Sequence, residues 1–120
     1  MHTDDNQRFE LLRYETTTEM RAITLAVDDE RIRIRERTDG EFTLMLFDCL
    51  WRECTVALGT ERMADLLAAL GKAGTSDLAA ALRSFFGSDG FLGDLQDLLD
   101  REGIPYEYHV QDGTHIAVRR

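Results

Sequence analysis

The sequence predicts an α+β fold, in which an antiparallel β-meander of four to five strands is packed on one face by three short helices and followed by a C-terminal β-hairpin. The first half of the chain alternates apolar and polar residues, as half-buried strands do. The middle of the chain changes to the spacing of amphipathic helices, and Asp-Gly pairs at 39–40 and 112–113 are turn signals. A length of 120 residues with 43% hydrophobic content predicts a single domain over residues 1–120, with residues 1–7 as a frayed terminus.

The meander is expected to use strands at residues 8–15, 21–27, 31–37, 41–47 and 50–58. The third strand reads Arg-Ile-Arg-Ile-Arg-Glu-Arg, which places Ile32 and Ile34 on one face and four arginines on the other. A three-residue turn ending at Gly40 would pair Ile34 with Leu44 and keep the apolar residues of both strands together. A tight turn at 28–29 would likewise bring Leu25 beside Ile32.

Three amphipathic stripes predict the helices, and a second hairpin ends the chain. The stripes consist of Met63, Leu66, Leu67 and Leu70, then Leu78, Leu82, Phe85 and Phe86, then Phe91, Leu92, Leu95, Leu98 and Leu99. The hairpin pairs residues 104–110 with 114–120 around Asp112-Gly113, which sets His109 opposite His115.

Charge and composition restrict the class of partner. The net charge is −9, and residues 84–118 hold seven acids against one base, so non-specific binding to nucleic acid or to an anionic membrane is not favoured. Lysine occurs once against thirteen arginines, a bias typical of GC-rich bacterial genomes, which suggests a bacterial or phage source. No leader or membrane-spanning run is seen, and two cysteines are too few for a disulfide scaffold, so a cytoplasmic protein with reduced thiols is expected.

The arginine face is the first candidate site. Its members are Arg31, Arg33, Arg35 and Arg37, and the predicted pairing adds Met45 and Phe47 to the same surface. Only Glu41 then offers a neighbouring carboxylate, and it lies opposite Arg37. Arginine, methionine and aromatic residues together are typical of protein interfaces. The alternatives are a solvated or self-covered sheet face, a protein or homodimer interface that meets the acidic region of a second copy, and a phosphate or nucleic-acid site.

The acidic C-terminal helix is the second candidate, with Asp94, Asp97 and Asp100 as binding residues. Asp94 suits the positive N-terminal end of the helix dipole, whereas Asp100 opposes the negative C-terminal end. This pattern is typical of a solvated helix face. Docking to a basic partner and acidic mimicry of nucleic acid are the two functional alternatives.

The predicted hairpin supplies the third candidate, because it sets His109 and His115 within reach of one metal ion with Glu107 nearby. The spacing matches no established metal motif, so these three residues are weak candidates beside the simpler interpretation of a polar hairpin face. A shared response to pH is a milder alternative. The sequence holds no phosphate-binding loop, dinucleotide glycine motif or nucleophile elbow, and it therefore favours neither an enzyme nor a cofactor.

Small size, acidity and segregated charge together predict a non-enzymatic protein-binding module of the inhibitor, immunity-protein, antitoxin or adaptor type. Its contact surface would be the arginine face, the acidic C-terminal region, or both. The alternative is a domain that binds an anionic small molecule on the arginine face or depends on a metal.

Overall fold

Among the residues that the structure describes, five strands pair antiparallel in the order in which they follow one another along the chain. The computed structural model describes residues 7–75 and 77–113. The strands are β1 (Gln7–Glu15), β2 (Glu19–Val27), β3 (Arg31–Gly40), β4 (Trp51–Gly59) and β5 (Glu107–Asp112). The helices of the described residues are α1 (Glu41–Phe47), α2 (Met63–Ala69), α3 (Leu78–Phe86) and α4 (Leu92–Glu102), with a 3₁₀ turn at Thr60–Arg62 before α2. The predicted α+β class is therefore confirmed.

One face of the sheet, the inner face, carries the hydrophobic core. Alternate residues of the three central strands point to this face, and each is at most 1% exposed: Ile23, Leu25, Ile32, Ile34, Val56 and Leu58. They pack against buried leucines of the last three helices, among them Leu66, Leu82 and Leu95. Burying a side chain of this size contributes about 1.5–3 kcal/mol. These helices are short, so this burial is what stabilises them.

The β2–β3 pairing differs from the predicted register by two residues. Leu25 lies opposite Ile34 rather than Ile32, and Val27 lies opposite Ile32. The turn is longer than expected because the Asp28 carboxylate accepts hydrogen bonds from the backbone amides of Glu30 and Arg31. A shift of two residues leaves every side chain on its predicted face. The burial of Ile32 and Ile34 was therefore predicted correctly from a wrong register.

The strand predicted at residues 41–47 is wrong, because this segment forms α1. Gly40 adopts φ +121° and ψ −164°, a conformation that L side chains rarely adopt, and a Cβ there would collide with the carbonyl oxygen of Thr18. The amide of Glu41 then donates to this same oxygen at 2.9 Å, which turns the chain away from β3. As a result β4 pairs with β3, and Ile34 lies opposite Val56 instead of Leu44.

The end of the described chain agrees in part with the predicted second hairpin. Its first strand is β5, which begins at Glu107 rather than at residue 104 and extends the sheet beside β4. The predicted strand at 114–120, including His115, lies outside the described residues, as does the predicted frayed terminus except for Gln7, which belongs to β1. Among the described residues, no helix combines the length and apolarity needed to cross a membrane.

Candidate functional site

Helix α1 carries apolar residues around most of its circumference, and these side chains are largely exposed. Its residues Phe42, Leu44, Met45, Leu46 and Phe47 expose between 43% and 70% of their surface. A helix that is hydrophobic all round is normally buried, and large exposed apolar patches on soluble proteins mark interaction sites. This helix is therefore the strongest indication of a contact surface in the described part of the chain.

A carboxylate from the neighbouring strand holds α1 at the end of the sheet. Glu19 Oε1 accepts a hydrogen bond from the amide of Phe42 at 2.9 Å, and Glu19 Oε2 accepts one from the buried hydroxyl of Thr43 at 2.8 Å. The amide of Thr43 also donates to Glu19 Oε1, at 3.4 Å. The first amides of a helix have no partner within the helix, so this carboxylate serves as a cap supplied from β2.

The turn between α3 and α4 faces α1 across the inner face of the sheet. Arg21 Nη1 on β2 donates to the carbonyl of Gly90 at 2.7 Å, and its guanidinium group stacks over the ring of Phe91 at 4.2 Å. The amide of Phe91 donates to Asp94 Oδ2 at 2.9 Å, which fixes the start of α4. Phe91 nevertheless remains 54% exposed, so it presents an aromatic surface toward α1.

Between these two walls lies a groove of about 610 Å³, the α1 groove. Helices α2, α3 and α4 cover one part of the inner face of the sheet. The part of this face that they leave uncovered forms the floor of the groove. An ion pair crosses this floor, with Arg21 Nη1 2.9 Å from Glu36 Oε2 and both side chains at most 15% exposed. Arg52 on β4 stacks over Phe47 at 4.4 Å and closes the floor beside α1.

The arginine face lies on the opposite side of the sheet, the outer face, and its charges are paired. Arg31 lies 3.1 Å from Glu107, Arg33 2.9 Å from Asp28, Arg35 3.9 Å from Glu53, and Arg37 3.0 Å from Asp39. The expectation that three of these arginines lack a partner, and that Glu41 pairs with Arg37, is therefore wrong. The errors for Arg35 and Glu41 follow from the wrong assignment of the strand beside β3, which is in fact β4 and carries Glu53. The partners of Arg33 and Arg37 lie in the β2–β3 turn and on β3 itself.

The structure also separates Met45 and Phe47 from the arginine face. Both residues belong to α1 at the end of the inner face, and Phe47 lines the α1 groove. Their predicted place beside the arginines depended on the strand assignment and is wrong. Both side chains are nevertheless exposed. Trp51 takes the aromatic position on the outer face, where Arg37 stacks over its ring at 4.6 Å.

A polar depression of about 720 Å³ lies on the outer face between β3 and β5. Glu107 is shared there, since its carboxylate accepts from Arg31 and lies 3.3 Å from His109 Nε2. The hydrogen bond from Arg31 and the neighbouring His109 hold the pKa of Glu107 below its usual range. Paired carboxylates reduce the positive potential that an anionic ligand would require. No group of three metal-ligating side chains exists among residues 7–75 and 77–113.

The three predicted acidic binding residues have separate surroundings on α4. Asp94 caps the helix start through Phe91, whereas Asp100 accepts a hydrogen bond from the hydroxyl of Tyr106 at 3.0 Å. Asp97 is exposed. Glu107, which belongs to the same acidic region, meets Arg31 within one chain, where the sequence suggested a contact between two copies.

The contribution of Asp28 in the β2–β3 turn to stability is expected to depend on pH. Hydrogen bonds from the amide of Glu30, the side chain of Arg33 and the amide of Arg31 lower the pKa of Asp28 to about 2. The unfolded value is about 3.9, so the charged form stabilises the fold above that pH, and this contribution is lost as the pH falls toward 2. Urea titrations should show Asp28→Asn less stable than the wild type at neutral pH, with the difference shrinking as the pH falls. The exposed Glu30→Gln is the control, and a difference independent of pH would contradict this role.

Comparison of the chain with models of known protein families, with curated proteins and with solved structures finds no match. The function must therefore be inferred from the surface of the molecule itself.

Proposed function

We propose that this chain is a non-enzymatic protein-binding module, and that its partner inserts apolar side chains into the α1 groove and over α1. The single observation that carries this proposal is that α1 exposes five large apolar side chains: Phe42, Leu44, Met45, Leu46 and Phe47. Inhibitors, immunity proteins, antitoxins and adaptors are all modules of this kind.

The composition of the α1 groove supports a protein partner. Its walls present Phe42, Phe47 and Phe91, and its floor presents Arg21 and Arg52. Phenylalanine and arginine are both enriched in protein interfaces relative to the rest of the surface, and arginine is also enriched among the residues that dominate their binding energy. The arginines are already oriented by stacking on aromatic rings, so little side-chain entropy would be lost when a partner binds.

The outer face is a less favourable contact surface than the α1 groove. Each of its four arginines lies within 4 Å of a carboxylate, and the arginine side chains are only about one third to two fifths exposed. Exposed ion pairs of this kind contribute little binding or folding energy. The α1 groove, by contrast, leaves large apolar surface in contact with water, and covering that surface is favourable.

Affinity capture from the source lysate with matched variants tests the proposal. Leu46→Glu places a charge in the groove wall at a position that is 56% exposed, so the fold should be retained. We expect this variant to lose capture of the partner that the wild type retains, with affinity reduced about 30-fold for an apolar contact of about 2 kcal/mol. The double variant Arg33→Ala/Arg35→Ala should capture the partner as well as the wild type does.

Two outcomes would count against the proposal. If the arginine variant loses the partner while Leu46→Glu retains it, the contact surface is the outer face. If neither variant changes what is captured, the bound proteins are not specific partners. Circular dichroism and thermal unfolding of both variants establish that any loss does not come from unfolding.

A further inference from the structure

We propose that the α1 groove selects a cationic amphipathic polypeptide segment, in which basic residues flank the apolar side chains that enter the groove. This inference depends on the proposed protein-binding function and goes further by stating the chemistry of the partner. It is carried by the distribution of charge around the groove.

Both walls of the groove are acidic at their edges. Residues 38–51, which contain α1, include Asp39, Glu41 and Asp48 but no lysine or arginine. Residues 84–100, which contain the opposite wall, include four aspartates and again no lysine or arginine. Of these acids, Glu41, Asp48 and Asp89 are exposed beside the aromatic walls, whereas Asp39 is paired with Arg37 on the outer face.

The two arginines of the floor do not reverse this charge. Arg21 is paired with Glu36, and Arg52 lies flat against Phe47. The charged residues that line the groove are Glu19, Glu36 and Asp89 against Arg21 and Arg52, a net charge of −1 before the flanking acids Glu41 and Asp48 are added. An apolar centre with an acidic rim complements a segment whose apolar face is bordered by lysine or arginine.

A second copy of the chain fits this surface less well. Each copy carries a net charge of −9, and a symmetric contact through α1 would bring two acidic rims together. Such like-charge contact disfavours a partner, whereas opposite charge accelerates its association. The same charge disfavours an anionic membrane as the surface that covers α1.

The probe is a synthetic amphipathic peptide of leucine and lysine with leucine at helical spacing, compared with the same peptide in which glutamate replaces lysine. Isothermal titration calorimetry of the full chain at physiological ionic strength should detect the lysine peptide at one-to-one stoichiometry and no binding of the glutamate peptide. Leu46→Glu should weaken binding about tenfold, even though it adds negative charge, because it removes apolar contact. The rim variant Asp48→Asn/Asp89→Lys should weaken binding by a similar factor, and asparagine is chosen because Asp48 has the left-handed backbone conformation at the end of α1. The control Asp97→Lys, exposed on α4, should change binding less than about twofold.

Several results would overturn the inference. Unchanged or tighter binding to Leu46→Glu would mean that the peptide binds by general charge attraction. Equal binding of the glutamate peptide would remove the selection for basic residues. Self-association of the wild type in sedimentation velocity, abolished by Leu46→Glu, would assign the groove to a second copy. If capture of the native partner depends on Leu46 but not on Asp48 and Asp89, the binding function stands and the cationic selection fails.

Discussion

Replacement of Glu36 by alanine is expected to lower the free energy of unfolding by about 3 kcal/mol, because it leaves the charge of Arg21 without its carboxylate in the floor of the groove. Both side chains are at most 15% exposed, so water cannot replace the lost partner well. The expected loss lies at the low end of the range for buried pairs, since Arg21 keeps its contacts with Gly90 and Phe91.

A double-mutant cycle in urea checks this expectation. The single variants of the cycle, Arg21→Met and Glu36→Leu, should each destabilise the fold. The double variant Arg21→Met/Glu36→Leu should lose much less than these two losses added together, since apolar side chains tolerate burial. The exposed pair of Arg62 and Asp65, 3.4 Å apart, is the control, and Asp65→Ala should cost less than about 0.5 kcal/mol. Additive losses at Arg21 and Glu36 would show that the two groups are not coupled.

Replacement of Glu19 by alanine is expected to lower the free energy of unfolding by about 2 kcal/mol and to disturb α1. The variant removes the cap of two backbone amides and leaves the hydroxyl of Thr43, which is 1% exposed, without its acceptor. Because α1 forms one wall of the groove, binding of the partner should weaken together with stability. Glu19→Gln, which keeps one acceptor oxygen, should lose less.

Denaturant unfolding and amide hydrogen exchange measure this effect. Exchange should accelerate in α1 more than in β3 or α4, since the cap holds α1 alone. Glu41→Ala, an exposed acid in the first turn of the same helix, is the matched control and should change stability by less than about 0.5 kcal/mol. Uniformly accelerated exchange in Glu19→Ala would contradict a local role for the carboxylate.

The segment at residues 41–47 illustrates why the groove could not be predicted. Five of the seven residues of the segment are apolar, so its pattern fits a strand and a helix about equally well. A usable signal was present, because Phe42 and Leu46, like Thr43 and Phe47, are four residues apart and share one face of a helix. The backbone conformation of Gly40 and the cap from Glu19 decide between the two structures, and both depend on contacts with β2.

The arginines show the same division between local and non-local information. Their common face follows from the alternation in β3 and was predicted correctly. Arg37 pairs with Asp39 on β3 itself and Arg33 pairs with Asp28 in the adjoining turn. Arg35 and Arg31 pair with carboxylates on β4 and on β5, which is separated from Arg31 by more than seventy residues. No local pattern indicates the pairs of Arg31 and Arg35 with distant strands, whereas Asp28 and Asp39 are close to Arg33 and Arg37 in the sequence and offered a signal that the prediction missed.

The sequence alone was enough to establish the α+β class, the faces of the central strands and the apolar stripes of the last three helices, because these follow from the fixed geometry of strands and helices over a few residues. Only the tertiary structure decided that β4 lies beside β3, that residues 41–47 form a helix, and that an acidic-rimmed apolar groove opens at the end of the sheet. These features depend on which distant segments meet, and contact energies between distant residues decide that choice where local preferences are nearly equal.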